Sequence, residues 1–421
     1  MNLSVFSLHR LAPRMALLFS CLFIALGLDA QSFDVGDLTY TVLQNDASAV
    51  QVTRGNKHFY DLTIPSTVSY KDHSYTVKHI GNNAFFGNGY KIYHDVVLPP
   101  TIETIGAQAF TSNGDMTSVT FASGQAPRLR VIGEGAFYNC RKMTTLFEMP
   151  STLEEIGNNA FRECWALRGT FLLPENLKTI GSECFSSCRS ISGFRFAVTS
   201  MADLLDGNRC LVNMRDDASW VCPVSIAPNV ERIPSYLFGS LVRYSVTFEP
   251  GSRCKEIAAY GLEYVGGRLE LPEGLVTIGN HAAYGTISGT PPLHLVLPST
   301  VQTIGNYAFR YCTSLSSLTC ARATPPAVYE NAFSNAADPS SCTLYVPLHC
   351  ASAYRGSNVW QQFFIEEADL TGISQPTVDD IDGSGSVKQR FGLGGQHLSS
   401  PTKGINIVRM SNGRVRKVVV K

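Results

Sequence analysis

The chain has 421 residues, 44% of them hydrophobic, and balances 34 basic against 34 acidic side chains. That balance excludes a protein drawn by bulk charge to nucleic acid or to an anionic membrane, since both need a cationic excess. Beyond the N-terminal segment no stretch approaches the roughly 20 apolar residues that a membrane-crossing helix requires.

Residues 1–30 have the layout of a secretory signal peptide. His9, Arg10 and Arg14 precede an apolar run over 15–28, and Leu28 and Ala30 fit the positions before a cleavage site. Cys21 invites a lipoprotein reading, but Phe19 suits a lipobox poorly and the apolar run continues past the cysteine. Cleavage would remove Arg10, Arg14 and Asp29, leaving 32 basic and 33 acidic residues and a net charge of −1.

Residues 31–79 alternate apolar and polar side chains in LTYTVLQ, AVQVTR and YTVKHIG, which is the grammar of strands. They are expected to form an N-terminal cap, because the first layer of a stack needs one face that tolerates water.

Residues 80–341 are a repeat. Its cleanest copy, VQTIGNYAFRYCTSL at 301–315, has the skeleton Ile304, Gly305, Ala308, Phe309, Cys312. The skeleton returns at Ile132, Gly133, Ala136, Phe137, Cys140, and at Ile156, Gly157, Ala160, Phe161, Cys164. It returns with one change at Ile180, Gly181, Cys184, Phe185, Cys188. Shorter copies start at Ile80 and Ile105, and worn ones at Ile233, Ile257, Ile278 and Val328. A period of roughly 24 residues sustained this far predicts a solenoid.

Within a unit, a short strand ends at proline, as in VVLPP, LFEMP, FLLP, LELP and LVLP. Period-2 alternation turns Leu98, Met149, Leu173, Leu271 and Leu297 inward, together with Val96, Phe147, Phe171, Leu269 and Leu295. A second short strand runs into Ile-Gly, where glycine suits either a positive φ or close backbone packing. The Ala-Phe pair is expected to open one helical turn whose ring fills the layer. Cys140, Cys164, Cys188 and Cys312 share one slot, which is how a small unpaired core residue behaves. Cys184 and Cys188 have helical spacing but no histidine nearby in sequence, which argues against zinc.

The interval from Ile180 to Ile233 equals about two periods, so residues 196–228 hold either a degenerate unit or an insertion. Residues 342–366 form a strand and a short helix offering Tyr354, Trp360 and Phe364, and are expected to be a C-terminal cap. Residues 367–388 turn Gly-, Ser- and Asp-rich, a linker signature. Asp380 and Asp382 lack the partners of a calcium loop. In the tail, 389–421, two alternating strands flank Asn412-Gly413, a strong hairpin signal. The tail segment 403–421 carries six basic residues and no acidic one.

These motifs resemble the BspA-like leucine-rich repeat proteins of anaerobic, host-associated Gram-negative bacteria. The LxLP strand, the IGxxAFxxC turn and the YVP…Y…W…F closing segment carry the resemblance over about residues 32–366. Departures fall at Ile233-Pro234, at Gly261-Leu262 and at Ala283. The resemblance implies a β-rich α/β leucine-rich repeat solenoid of short strands and single helical turns, capped at both ends. It also implies a cell-surface adhesin toward a host matrix protein, a mucin or a bacterial surface macromolecule. The tail resembles a C-terminal sorting signal of the type IX secretion route, through Gly404-Ile405-Asn406-Ile407-Val408 and Lys417-Val418-Val419-Val420-Lys421. That second resemblance implies export across the outer membrane and retention at the surface.

No HExxH, GxSxG or phosphate-cradling GxxxxGK[ST] occurs, and the histidines do not cluster with acids at a recurring place. The sequence therefore predicts neither catalytic residues nor a metal or cofactor, and singles out no individual binding residue. The outward strand positions Asp95, Glu148, Thr170, Arg268, Glu270 and His294, with Val97, Leu172 and Val296, carry no aromatic stripe and no single-sign patch. A structural spacer and an accessory glycan-binding surface protein are the rival readings.

Overall fold

The computed structural model describes residues 31–370 apart from 56, 88–90, 200–220, 239–242, 266–268 and 286–292, and beyond them the backbone of three strands. The signal-peptide expectation for residues 1–30 and the calcium-loop residues lie outside the described residues.

The described chain coils into a β-rich solenoid of about 12 turns. Each turn gives a two-residue strand that ends on the repeat isoleucine, as in Thr104–Ile105, Val131–Ile132 and Glu155–Ile156. These strands stack in parallel with isoleucine opposite isoleucine. In the first block the ladder closes onto an antiparallel N-terminal edge formed by Ser32–Val35, Leu38–Leu43 and Asp46–Gly55. The strands that end near proline make a second layer, with Val96 opposite Val119 and Phe171 opposite Phe194. Every inward residue named from the alternation is buried.

The second layer runs unbroken through the long interval. Val221–Ile226 lies between Ile191–Phe196 and Arg243–Phe248, in register with both, so one coil's strand occupies that stretch.

Between the layers, phenylalanines of successive turns stack face to face. Phe85, Phe110, Phe137, Phe161 and Phe185 follow one another at centroid separations of 5.3, 5.3, 5.4 and 5.2 Å, with planes within 11° of parallel. Phe309 and Phe333 continue the column after Leu262 and Ala283 interrupt it. Each ring buries its area against two neighbours, so adjacent turns stabilise one another.

The expected helical turn does not form. The residues after Ile-Gly make successive tight turns, with the third and seventh residues after the isoleucine in left-handed conformation. Gln108 has φ 55° and Ser112 63°; Asn159 has 54° and Glu163 61°. The reason is hydrogen bonding. A helical turn would direct its N–H groups back into itself, whereas alternating hands point alternate N–H groups at the next coil. Gln108, Phe110 and Ser112 donate to the carbonyls of Glu134, Ala136 and Tyr138 at 2.8, 2.7 and 2.8 Å. Ala109 and Thr111 donate locally, to Gly106 and Gln108. The turn edge is therefore a third inter-coil ladder, and its bonds offset the roughly 1–2 kcal/mol that a left-handed non-glycine residue costs.

The repeat glycine answers the other of its two possible requirements. Its φ is not positive; it is needed for close approach. A Cβ on Gly157 would lie 2.4 Å from the Glu134 nitrogen, and one on Gly181 2.2 Å from the Asn158 nitrogen.

At the C-terminal end, the strand Thr343–Pro347 and the helix Ala351–Arg355 close the stack. Trp360 donates from Nε1 to the Pro326 carbonyl at 3.0 Å, and the Tyr354 hydroxyl donates to the Arg322 carbonyl at 2.7 Å. Phe363, not Phe364, completes the plug. Phe363 packs on Phe333 at 5.1 Å, while Phe364 is 57% exposed because it begins the strand Phe364–Ala368 on the outer side.

The tail hairpin, Gly404–Met410 against Val415–Val420, is joined by a third antiparallel strand that the sequence does not signal, Val387–Gly392, which crosses the expected boundary between linker and tail. Three strands pass the size at which a small sheet holds together more readily than an isolated hairpin.

Candidate binding surface

Three surfaces run along the stack, and each has its own chemistry. On the isoleucine ladder, charges alternate from coil to coil. Lys78 bridges Asp46 at 3.0 Å and Glu103 at 3.6 Å; Arg130 meets Glu154 at 2.6 Å, and Lys178 meets the same carboxylate from the far side. The bonds from Lys178 and Arg130 hold the Glu154 carboxyl below its ordinary range. Such pairs contribute little to stability in water. Their alternation leaves this face close to neutral, with its charges already matched.

On the second layer, the outward positions named from the sequence are arranged as expected where they are described. Asp95, Glu148, Thr170 and Leu172 are exposed, and Val97, Glu270, His294 and Val296 are half-buried. Arg268 lies outside the described residues. Asp95 accepts from the hydroxyls of Thr117 and Ser118 at 2.7 and 2.6 Å, which lowers its pKa. His294 contacts Ser317 and Thr319 of the neighbouring strand. Further along, Arg195 forms a two-pronged pair with Glu249 at 2.7 and 2.8 Å.

The third surface, the turn edge, was missed in the sequence. In its first half the left-handed positions hold Asn83, Gln108, Asn159, Glu183, Ser112, Asn139 and Glu163, with Arg162 paired to Glu183. In its second half Gly285 and Asn335 keep small or amide residues at two of these positions, and the other described ones become aromatic. Tyr236, Tyr260, His281 and Tyr307, each third after its repeat isoleucine, stack at 4.7, 4.5 and 5.0 Å. Tyr264 and Tyr311, each seventh, flank Tyr284 edge-on at 5.8 and 5.4 Å, and Tyr284 also touches Tyr260 and His281. The Arg310 guanidinium lies over both Tyr307 and Tyr311, at 4.9 and 4.7 Å. Burial and Arg310 push the His281 pKa down. One signal could have found this strip: the column three residues after the isoleucine, read across copies.

The repeat-slot cysteines are buried and unpaired. Each thiol donates to the main-chain carbonyl five residues after the isoleucine of the preceding turn: Cys140 to Phe110, Cys164 to Phe137, Cys188 to Phe161, at 3.2, 3.1 and 3.0 Å. Asn113 fills the same slot one turn earlier and donates to Phe85 in the same way. Burial pushes the Cys140 thiol up to about 12 and raises Cys164 and Cys188 as well. An unfolded thiol releases its proton near pH 9, so between about pH 9 and 12 the unfolded chain binds fewer protons and stability falls as pH rises. Iodoacetamide near pH 8.5 is expected to modify Cys350, which is partly exposed, and to spare the nine buried thiols until denaturant is added. Peptide mapping that finds Cys140 or Cys164 modified in the native protein would contradict this packing.

Among the described residues no group of three or more His, Cys, Asp or Glu is placed to hold a metal ion, and no helix is long and apolar enough to cross a membrane.

A stack of parallel strands and turns with a leucine, isoleucine and phenylalanine interior defines a leucine-rich repeat protein. The BspA type Leucine rich repeat region matches residues 78–204 and 277–367 in six copies, just over half of the chain, and the chain belongs to that family. No curated protein matches the sequence. Among solved structures, the chain is similar to a leucine rich cell surface protein of Faecalibacterium prausnitzii A2-165, at 18% identity over 80% of this chain and 95% of that one, with a TM-score of 0.42. It is similar to a leucine-rich repeat protein of Bacteroides ovatus at 21% identity, covering 75% and 70%, with a TM-score of 0.46. The pneumococcal vaccine antigen PcpA is similar at 18% identity, covering 80% and 98%, with a TM-score of 0.32.

Proposed function

We propose that this is a secreted, surface-displayed and non-catalytic protein that binds macromolecules along its solenoid, an adhesin toward a host matrix protein, a mucin or a bacterial surface macromolecule. The observation that carries the reading is the division of labour within each coil. Repeated residues are buried, while residues facing water differ from coil to coil on one rigid backbone, the arrangement that repeat proteins use for extended binding surfaces. Burial of nine of the ten described thiols also argues against a cysteine nucleophile, which needs an accessible thiolate. The test is binding of the chain from residue 31 onward to immobilised matrix proteins, mucins and bacterial envelopes. Saturable binding is expected; a blank result across all three would favour the spacer.

The basic tail supports a reading as a type IX sorting signal at the outer cell surface. Deletion of residues 403–421 is expected to leave the solenoid folded and to hold the protein inside the cell. Surface display of the truncated chain at the parent level would remove the sorting role.

A further inference from the structure

We infer that the aromatic strip on the turn edge, centred on Tyr284, Tyr307, Arg310 and Tyr311, is the contact surface for a protein partner whose docking segment is acidic. The inference rests on the binding role proposed above and moves its focus from the strand face to the turn edge.

The first observation is where the rings are. Tyr236, Tyr260, His281 and Tyr307 adopt φ of 57, 56, 54 and 56°. Asparagine and glycine enter the left-handed region with least strain, and bulky rings are outliers there. The first half of the same ladder meets the backbone requirement with Asn83, Asn139, Asn159 and Gly135, and with the unbranched or small side chains of Gln108, Ser112, Glu163, Glu183 and Ser187, none of them a ring. The ladder itself thus has no need of tyrosine, and strained outliers grouped on one surface point to a role beyond folding.

The second observation is which part of each ring faces water. Tyr236, Tyr260 and His281 lie within 14° of parallel in succession, so their faces meet one another. Arg310 covers Tyr307 and Tyr311. Rings that face one another or a guanidinium have their faces occupied, which leaves rims and hydroxyls as the parts free to meet a partner. A sugar ring stacks on an open aromatic face, so this geometry disfavours a glycan. Rims, hydroxyls and a guanidinium held between rings suit a protein interface, whose cores are enriched in tyrosine and arginine and poor in lysine and glutamate.

The third observation is charge. From the isoleucine through the seventh residue after it, the coils starting at Ile257, Ile278 and Ile304 contain a single carboxylate, Glu263, which is buried, and the next coil, starting at Val328, adds one exposed carboxylate, Glu330. Their cationic groups are Arg310 and, when protonated, His281. The first half of the edge instead pairs its charges, as in Arg162 with Glu183 and Arg141 with Glu163. An acidic segment is the complement of a surface that presents Arg310 between two rings and carries few carboxylates of its own.

The experiment uses the full mature chain and synthetic peptides of acidic, basic and neutral composition, with polygalacturonate and a neutral glucan as glycan probes. Tyr311 is 39% exposed, so Tyr311→Ser removes contact surface with little effect on the core. Arg310→Glu reverses the charge, and Asn159→Ser on the first half is the control; melting curves confirm that each variant is folded. The expected result is preferential binding of acidic peptides, weakened roughly tenfold or more by Tyr311→Ser and by Arg310→Glu and unchanged by Asn159→Ser. Equal binding of all peptide classes, or acidic-peptide binding that both variants leave intact, overturns the proposal. Binding of polygalacturonate alone, lost in the same variants, makes the strip a glycan face instead. Binding to matrix proteins or mucins that both variants retain preserves the adhesin reading while removing the strip from it.

Discussion

Replacing Phe161 by alanine is expected to destabilise the protein by about 3–5 kcal/mol, the range for deleting a fully buried ring. Phe161 has no exposed area, and its faces meet Phe137 at 5.4 Å and Phe185 at 5.2 Å. The cavity would therefore open in two inter-coil contacts at once, and each stacked pair adds about 0.5–1.5 kcal/mol beyond its area. Because stability in a repeat stack is a sum over neighbours, the loss should appear as earlier unfolding on both sides of the fourth regular turn. Thermal unfolding followed by circular dichroism measures it. A midpoint equal to the parent's would show that the phenylalanine column is not what couples the turns.

The second large effect is expected at Gly181. Its added methyl would sit 2.2 Å from the backbone nitrogen of Asn158, which no side-chain motion can relieve. Gly181→Ala should cost about 2–3 kcal/mol, the upper part of the range for overpacking. The chain itself shows how such a clash is absorbed. Where glycine occupies the position, its N–H reaches the isoleucine carbonyl of the previous coil at 2.7–2.8 Å; at Ala258 and Tyr329 the same bond stretches to 3.0 and 3.1 Å. Those two sites lie in worn turns, where the neighbouring coils stand slightly further apart. Gly181 lies at the end of the nine-stranded block, tight against Gly157. An alanine variant as stable as the parent would mean that the regular turns yield as easily as the worn ones.

Much of this architecture was legible in the residues because burial enforces columns. Isoleucine, phenylalanine and cysteine recur at fixed distances since each must fill the same space in the next layer, and inward strand residues follow from period 2. The turn was misread for a related reason. Its left-handed positions are set by main-chain hydrogen bonding, so Gln108, Glu163, Ser187 and Tyr260 all occupy them and leave no single chemical signature. Ala-Phe after Ile-Gly has helix-forming composition, and the helix lost to bonds between coils that lie 24 residues apart. Phe363 and Phe364 are adjacent, and only the position of the strand start decides which one turns inward. The tyrosine strip is hidden because period 2 marks outward residues only on strands, whereas this edge is built of turns.

That turn edge also gives the solenoid a direction. In an ordinary sheet, successive peptide groups along a strand point opposite ways and their dipoles largely cancel. Here the groups donating from Gln108, Phe110 and Ser112, and then from Gly135, Phe137 and Asn139, all point toward the C-terminal end. Aligned peptide dipoles add, as they do in a helix. Each turn also sends its glycine N–H back to the preceding coil, but three donors point forward for that one, so the edge keeps a net polarity with its positive pole at the last turn. There Asn331, Phe333 and Asn335 hold the corresponding N–H groups and find no acceptor among the described residues. The last turn therefore offers a row of main-chain donors, and the strand and helix of the C-terminal cap close the stack beside it.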